Sequence, residues 1–99
     1  MFVATCRLTL HLFDSQSLKD KRQIIKSLLP RLRNQFEVAA AEVGHQDLRQ
    51  RATLGLAYVS GTASHAEVVI QHAIDYIEAT RLDCEITEVH LEVVSIDSE

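Results

Sequence analysis

Hydrophobic and polar residues alternate over the first twelve positions of the chain. Apolar side chains occupy every second position from Phe2 to Leu12, and Thr5, Arg7 and Thr9 stand between them. A period of two residues is typical of a β-strand with one buried face and one exposed face. We therefore predict a strand over residues 2–12.

Helical spacing replaces this alternation in the next segment. Ser17 followed by Asp20 resembles a capping box. Apolar residues then recur every three or four positions, at Leu18, Ile25, Leu28, Leu29 and Leu32. This spacing predicts a helix from about residue 18 to about residue 34. Pro30 lies inside it and removes a backbone donor at a cost of up to ~3 kcal/mol, so we expect the helix to kink there without breaking.

Two strands are predicted in the middle of the chain. The composition of residues 37–43 also suits a helix, but only a strand lets the chain return across a sheet after the first helix. Residues 52–59 form an apolar run with the length of a buried strand. We expect these two strands to pair as a hairpin.

The remainder of the chain contains one more helix and one more strand. A capping box of Ser64 and Glu67 and a helical stripe predict a helix over about 65–81, while residues 85–93 alternate like the first strand. The order is β-α-β-β-α-β, and right-handed crossovers place both helices on one face of a four-stranded antiparallel sheet. We predict a single α+β domain over residues 1–99 with a ferredoxin-like fold, its first and third strands central and its second face open.

Composition narrows the class of protein. The hydrophobic fraction of 46% and the charged fraction of 24% are those of an ordinary globular chain. A charge at Arg7 and the lack of an apolar run near ~18 residues argue against a signal peptide and a membrane span, so a cytoplasmic protein is expected. Cys6 and Cys84 are far apart and lack CxxC spacing, which favours buried free thiols over a disulfide or a zinc site.

Charge is distributed unevenly along the chain. Residues 1–51 carry nine Lys or Arg against five Asp or Glu, whereas residues 67–99 carry one basic residue against nine acidic ones. Four cations of the first helix fall within a ~60° arc opposite its apolar stripe. They are Lys19, Arg22, Lys26 and Arg33. With Arg49 and Arg51 of the hairpin loop, they suit contact with a nucleic-acid backbone, the alternative being a solvated helix face.

The open sheet face predicts a different contact. Ferredoxin-like RNA readers stack bases on aromatic residues of the central strands, but the third strand offers only Tyr58. The first and last strands instead present charged or polar residues of both signs. They include Arg7, His11, Glu88 and His90. These residues suit cross-strand ion pairs or the interface of a homodimer.

Candidate catalytic and metal-binding groups are scattered. The loop segment 45–47 contains His45 and Asp47, so a small enzyme built around these two groups stays an alternative. His65 and His72 are ~10 Å apart on the second helix, too distant for one metal ion. Residues 13–16 lack the glycines that cradle phosphate in acylphosphatases. We expect a non-catalytic protein without a cofactor or metal.

Two stretches of the chain resemble the YlxP-like bacterial family, also called domain of unknown function 503. The first runs from Ser17 through Arg22 and on to Asn34, and the second from Ala41 to Gly55. The sequence departs from the family pattern at Pro30, where proline is usually avoided, and at Arg49, where an aromatic residue is common. The resemblance implies a ferredoxin-like fold and no established activity. Because family members tend to be encoded among translation and ribosome-maturation factors, it also implies a ribosomal connection.

Two hypotheses follow for the function. The leading one is an accessory protein that contacts RNA or the ribosome through the basic ridge of the first helix and the basic end of the hairpin loop. The alternative is a homo-oligomeric or small-ligand-binding module that uses the open sheet face.

Overall fold

A computed structural model of the chain describes residues 1–81 and 83–97. Its elements are β1 (Phe2–Leu12), α1 (Leu18–Phe36), β2 (Ala39–Gly44), β3 (Arg51–Ser60), α2 (Ala63–Thr80) and β4 (Cys84–Ser95). The predicted order is confirmed, including the strand after the first helix. That strand begins two residues later than predicted, because Glu37 adopts a left-handed conformation with φ of 58° and ends the helix.

The four strands form one antiparallel sheet in the order β2-β3-β1-β4. The first and third strands are therefore central, as predicted, and β2 and β4 are the edges. Both helices pack on the same face of the sheet, where their buried side chains and those of the strands form one core. The other face has no covering layer among the described elements. The predicted ferredoxin-like arrangement is confirmed.

The core follows the two periodicities of the sequence. Alternate residues of β1 and β3 and one stripe of each helix are buried. The larger of these side chains are Leu8, Leu10, Leu12, Leu28, Leu32, Leu54, Ile70 and Ile77. Each contributes about 1.5–3 kcal/mol through removal from water. The remaining helix positions are largely polar, and neither described helix is long and apolar enough to cross a membrane.

The first helix begins at the cap that its sequence predicts. Ser17 Oγ accepts a hydrogen bond from the Asp20 N–H at 3.1 Å, and the Asp20 carboxylate accepts one from the Gln16 N–H at 3.0 Å. These bonds satisfy two donors at the start of the helix. The helix passes through Pro30 without a break and ends at Phe36. Pro30 is exposed, so its ring does not displace core side chains.

The second helix begins earlier than the sequence predicts. Its N-cap is Thr62, whose side chain makes no capping hydrogen bond, and Ser64 already lies in the first turn. The prediction of a capping box formed by Ser64 and Glu67 is therefore wrong. The Thr62 N–H donates to Ser60 Oγ at 3.2 Å, so the chain turns directly after β3.

A bulge changes the alternation predicted for the last strand. The register between β1 and β4 shifts where Thr9 opposes Glu88 and Leu10 opposes Ile86, which leaves Thr87 unpaired. The Thr87 hydroxyl donates to the Thr9 carbonyl at 3.3 Å. A bulge adds one residue to one strand, so side chains on its two sides alternate out of phase. As a result Ile86, and not Thr87, packs against the core.

Pro30 provides a test of the helix energetics. Pro30→Ala restores an N–H that can donate to the Lys26 carbonyl one turn earlier, so we expect unfolding to cost about 1–3 kcal/mol more than in the wild type. Urea denaturation measures this difference. Gln23→Ala, at another exposed position of α1, is the control and should change stability by less than ~0.5 kcal/mol. Equal stability of the two variants would contradict the expectation.

Candidate functional site

A buried lysine joins the first helix to the loop between β2 and β3. The side chain of Lys21 is 2% exposed. Its Nζ donates to the carbonyls of His45 at 2.6 Å, Leu48 at 2.8 Å and Arg51 at 3.0 Å. An ammonium group has three hydrogens, so these bonds use all of its donors. The loop backbone is thereby attached to α1 at three points.

Glu42 supplies the charge that balances this lysine. Its Oε2 lies 2.8 Å from Lys21 Nζ and accepts no hydrogen bond from the described residues. Because the three N–H groups already point at carbonyls, this contact is an ion pair without a directed hydrogen bond. A buried charge without a partner costs several kcal/mol. The Lys21–Glu42 pair therefore sets where the loop lies.

The position of Lys21 in the helical repeat indicates that it is buried, which its charge alone does not show. At ~100° per residue, Lys21 lies between Leu18, Ile25 and Leu28 within the apolar stripe of the helix. The predicted basic residues are centred about 100° around the same helix from this stripe. A lysine in an apolar stripe is rarely buried without a charged partner, and that partner comes from a different element.

The first residue of the loop, His45, is held by a short polar network. It adopts a left-handed conformation with φ of 57°, and its Nδ1 lies 2.6 Å from Thr53 Oγ1. That hydroxyl lies 3.4 Å from Thr9 Oγ1 on the neighbouring strand. Thr53, and not Asp47, is thus the hydrogen-bond partner of the imidazole. No hydrogen bond joins His45 to Asp47 among the described residues, and the enzyme alternative stays a prediction.

One end of the open sheet face is apolar. Val59, Val3 and Val94 lie side by side across three strands, and Val59 is 59% exposed. The next positions along the sheet are small, at Ala39 and Ala57. We call these five residues the apolar end. A shallow depression of about 470 Å³ extends from it toward the centre of the sheet.

Gly55 lines the depression at a point where a side chain would be closely packed. A Cβ at Gly55 would lie 3.0 Å from Val43 Cγ1 on the neighbouring edge strand. An alanine here would therefore require the Val43 side chain to move by a few tenths of an ångström. Gly55 therefore keeps the face flat at its centre.

The centre of the open face carries charges of both signs. Arg7 opposes His90 in the register, and its guanidinium lies 3.8 Å from Glu88 Oε1. His90 Nε2 lies 2.8 Å from Glu92 Oε1. These side chains are about 60% exposed, so each pair contributes at most ~1 kcal/mol to folding. Three of the four predicted interface residues, Arg7, Glu88 and His90, lie together here; we call them, with Glu92, the charged centre.

The far end of the open face is basic. His11 opposes Arg51 across β1 and β3. With Leu48, Arg49 and Gln50 they line a depression of about 330 Å³. The loop is anchored at this point, since the Leu12 N–H donates to the Gln50 carbonyl at 2.9 Å. We call His11, Arg49 and Arg51 the basic end.

The structure divides the six predicted nucleic-acid-binding residues among three places. Lys19, Arg22 and Lys26 are exposed on α1. Arg33 donates through Nε and Nη2 to the Ala40 carbonyl, at 3.1 and 2.6 Å, so it holds β2 against the helix. Arg49 and Arg51 lie at the basic end. Arg51 faces away from the helices because the next residue in β3 is buried.

Both cysteines are free thiols, as predicted. Cys6 is buried and Cys84 half-buried. Burial raises the pKa of the Cys6 thiol, and burial with the nearby Asp83 carboxylate raises the pKa of Cys84 to about 11. The pKa of Asp83 itself is held low by hydrogen bonds from Arg81. Among the described residues, no group of three His, Cys, Asp or Glu side chains is arranged to hold a metal ion.

Replacing the buried lysine should destabilise the whole domain. Lys21→Met keeps most of the apolar stem but leaves Glu42 and three carbonyls without their partner, so we expect a loss of about 3–5 kcal/mol in urea denaturation. Lys19→Met, two residues away and exposed, should cost less than ~0.5 kcal/mol. Similar losses in the two variants would show that the clamp does not stabilise the fold.

The raised thiol pKa predicts slow alkylation. Because the thiolate is the reactive form, Cys84 in the folded protein at pH 8 should react with iodoacetamide about 100-fold more slowly than an ordinary cysteine. Mass spectrometry of timed samples measures this rate, and the same chain in urea provides the reference. Equal rates in the folded and unfolded chains would disprove the assignment.

Comparison with solved structures agrees with the fold. A de novo designed protein with a ferredoxin fold superposes with a TM-score of 0.60 at 13% identity, covering 100% of this chain and 91% of the other. A dimeric ferredoxin-like protein from an uncultured marine organism gives 0.55 at 11% identity, with coverages of 98% and 99%. At these identities the likeness concerns the fold alone.

Sequence comparison identifies the family. The chain is 37% identical over 68 residues to the uncharacterized protein YlxP of Bacillus subtilis (strain 168), which covers 69% of this chain and 74% of the relative. Residues 3–91 match the profile of a family described as "Protein of unknown function (DUF503)". The resemblance carried by the two motif stretches is thereby confirmed, and the chain belongs to the DUF503 family.

Proposed function

We propose that this protein is a non-catalytic interaction module that forms a homodimer through the open face of its sheet. The observation that carries the proposal is the uncovered row of Val59, Val3 and Val94. Complete burial of a valine side chain contributes about 1.5–3 kcal/mol, and these partly exposed valines would gain a part of it. In a two-fold dimer both copies contribute the same three residues.

The charged centre suits a second copy of the same chain. Arg7 lies beside Glu88, and His90 beside Glu92, so both signs lie within 4 Å of each other. A two-fold axis through this region brings the cation of one copy opposite the carboxylates of the other. A face with one sign of charge would repel its own copy.

The size of the face sets the expected strength of the dimer. From Val3 to Thr9, which spans the apolar end and the charged centre, four strands at the usual spacings give a face on the order of 400 Å². This area is below the roughly 800 Å² per partner of a standard interface. We therefore expect a reversible dimer in the micromolar range. A protein of the same fold is described as dimeric, so the fold accommodates such an assembly.

Introducing a charge at the apolar end tests the dimer. Sedimentation velocity of the wild type at 1–100 μM should show a concentration-dependent dimer, and Val59→Lys should shift it to monomer, because a lysine would be buried opposite its own copy. Val68→Lys, at an exposed valine of α2, is the matched control and should leave the dimer unchanged. A wild type that stays monomeric throughout would refute the proposal.

A charge exchange tests the centre of the same face. Arg7→Glu and Glu88→Arg should each weaken the dimer by placing like charges together, and the double variant should recover it. We expect both single variants to fold, because both side chains are about 60% exposed in the monomer. Thermal melting is the control that checks this. Unchanged association in both single variants would show that the charged centre lies outside the dimer interface.

The basic side of α1 supports a second candidate function, contact with RNA or the ribosome. Lys19, Arg22 and Lys26 are exposed on one side of the helix, and no carboxylate of the described residues lies within ion-pair distance of them. Cations that are free and aligned can follow phosphates and release counterions. The link to translation factors implied by the family resemblance favours the same partner.

Salt dependence distinguishes this candidate from the dimer. Three phosphate contacts predict that affinity for single-stranded RNA falls about 20-fold between 50 and 200 mM salt. Fluorescence anisotropy measures the affinity. Replacing Lys19, Arg22 and Lys26 together by glutamate should abolish RNA binding. Arg31→Glu on the same helix should weaken RNA binding only slightly. Equal RNA binding by both variants would show that the basic side of α1 is not the RNA-binding surface.

A further inference from the structure

The basic end holds an arrangement that neither proposed function uses. Two guanidinium groups, from Arg49 and Arg51, and the His11 imidazole line one depression of about 330 Å³. This volume is at the lower limit of small-molecule sites. Neither arginine has a carboxylate within 4 Å among the described residues. The depression therefore has an excess of positive charge.

The Lys21 clamp orients the loop backbone at this place. In a planar trans peptide, the N–H of the next residue points opposite to the carbonyl. Because the Leu48 carbonyl points at Lys21 Nζ at 2.8 Å, the Arg49 N–H points away from the core. This N–H donates to no acceptor within the part of the chain that the structure describes. The backbone thus directs three carbonyl oxygens toward the Lys21 ammonium and leaves the Arg49 N–H on the outer side.

Two acidic residues lie near the basic end, but neither lines its depression. Glu85 opposes His11 in the register of β1 and β4, and Asp47 belongs to the same loop as Arg49. Glu85 does not line the depression, and neither does Asp47. An anion in the depression would therefore meet guanidinium, imidazole and amide donors.

We propose that the basic end is a binding site for a phosphate group. Arg49 and Arg51 offer fork-shaped pairs of donors that match phosphate oxygens, and the Arg49 N–H and His11 supply further hydrogen bonds. The site lies eight residues along β1 from Val3, about 26 Å from the apolar end. It is also separate from the basic side of α1, which lies in the helix layer.

The phosphate belongs either to a small ligand or to a nucleic-acid chain, and two probes distinguish these sources. Inorganic pyrophosphate and a ten-nucleotide single-stranded RNA are titrated separately into ¹⁵N-labelled protein at constant ionic strength. The Arg49 amide and the His11 ring should shift in a saturable way. Arg49→Gln and Arg51→Gln should each weaken binding at least 10-fold, whereas Arg31→Gln on α1 should bind as the wild type does.

A saturable response to pyrophosphate that is lost in both loop variants assigns the site to a small phosphate ligand. A response to RNA alone, lost in the same variants, assigns it to a backbone phosphate. No local shift with either probe, or equal binding by wild type and variants, overturns the proposal. Sedimentation of the loop variants should match the wild type, so failure here is independent of the proposed dimer.

Discussion

The buried ammonium of Lys21 contacts three backbone carbonyls and one carboxylate, and these contacts unite α1 with the loop between β2 and β3. That loop is polar and contributes little to the apolar core, so hydrophobic burial cannot define its shape. A charge that has left water must be surrounded by oxygen atoms, and this requirement orients the loop peptides. The positions of His45, Arg49 and Arg51 all depend on this interaction.

The strand alternation determines what the open face offers. In β1 and β3, most residues that face the helices are apolar, and this leaves valines, small residues, charges and arginines in successive zones on the other side. The zones differ in chemistry from one end of the sheet to the other. Each zone is therefore suited to a different contact: apolar association at one end, charge pairing in the centre and anion binding at the far end.

The core was readily predictable, because its residues follow the periods of two and of about 3.6 that strands and helices impose. The cap at Ser17 was also predictable, since donor and acceptor lie three residues apart. The early start of α2 at Ala63 was not, because the turn after β3 engages Ser60 and leaves Ser64 inside the helix. The bulge at Thr87 was hidden for a similar reason: β4 alternates by itself, and only its pairing with β1 reveals the extra residue.

By itself, the sequence determined the order of the elements, the buried faces and the family, because these properties depend on local spacing and on motifs within continuous stretches. The candidate sites depend on contacts between distant residues. Lys21 meets Glu42 and residue 51, and His11 meets Arg51, only after the chain has folded back on itself. Charge along the chain marked six cations as candidates for nucleic-acid contact. In the fold, Arg33 bonds the Ala40 carbonyl and Arg51 lies opposite His11 on the open face, so the six residues lie in three places. Only the tertiary structure decided that grouping.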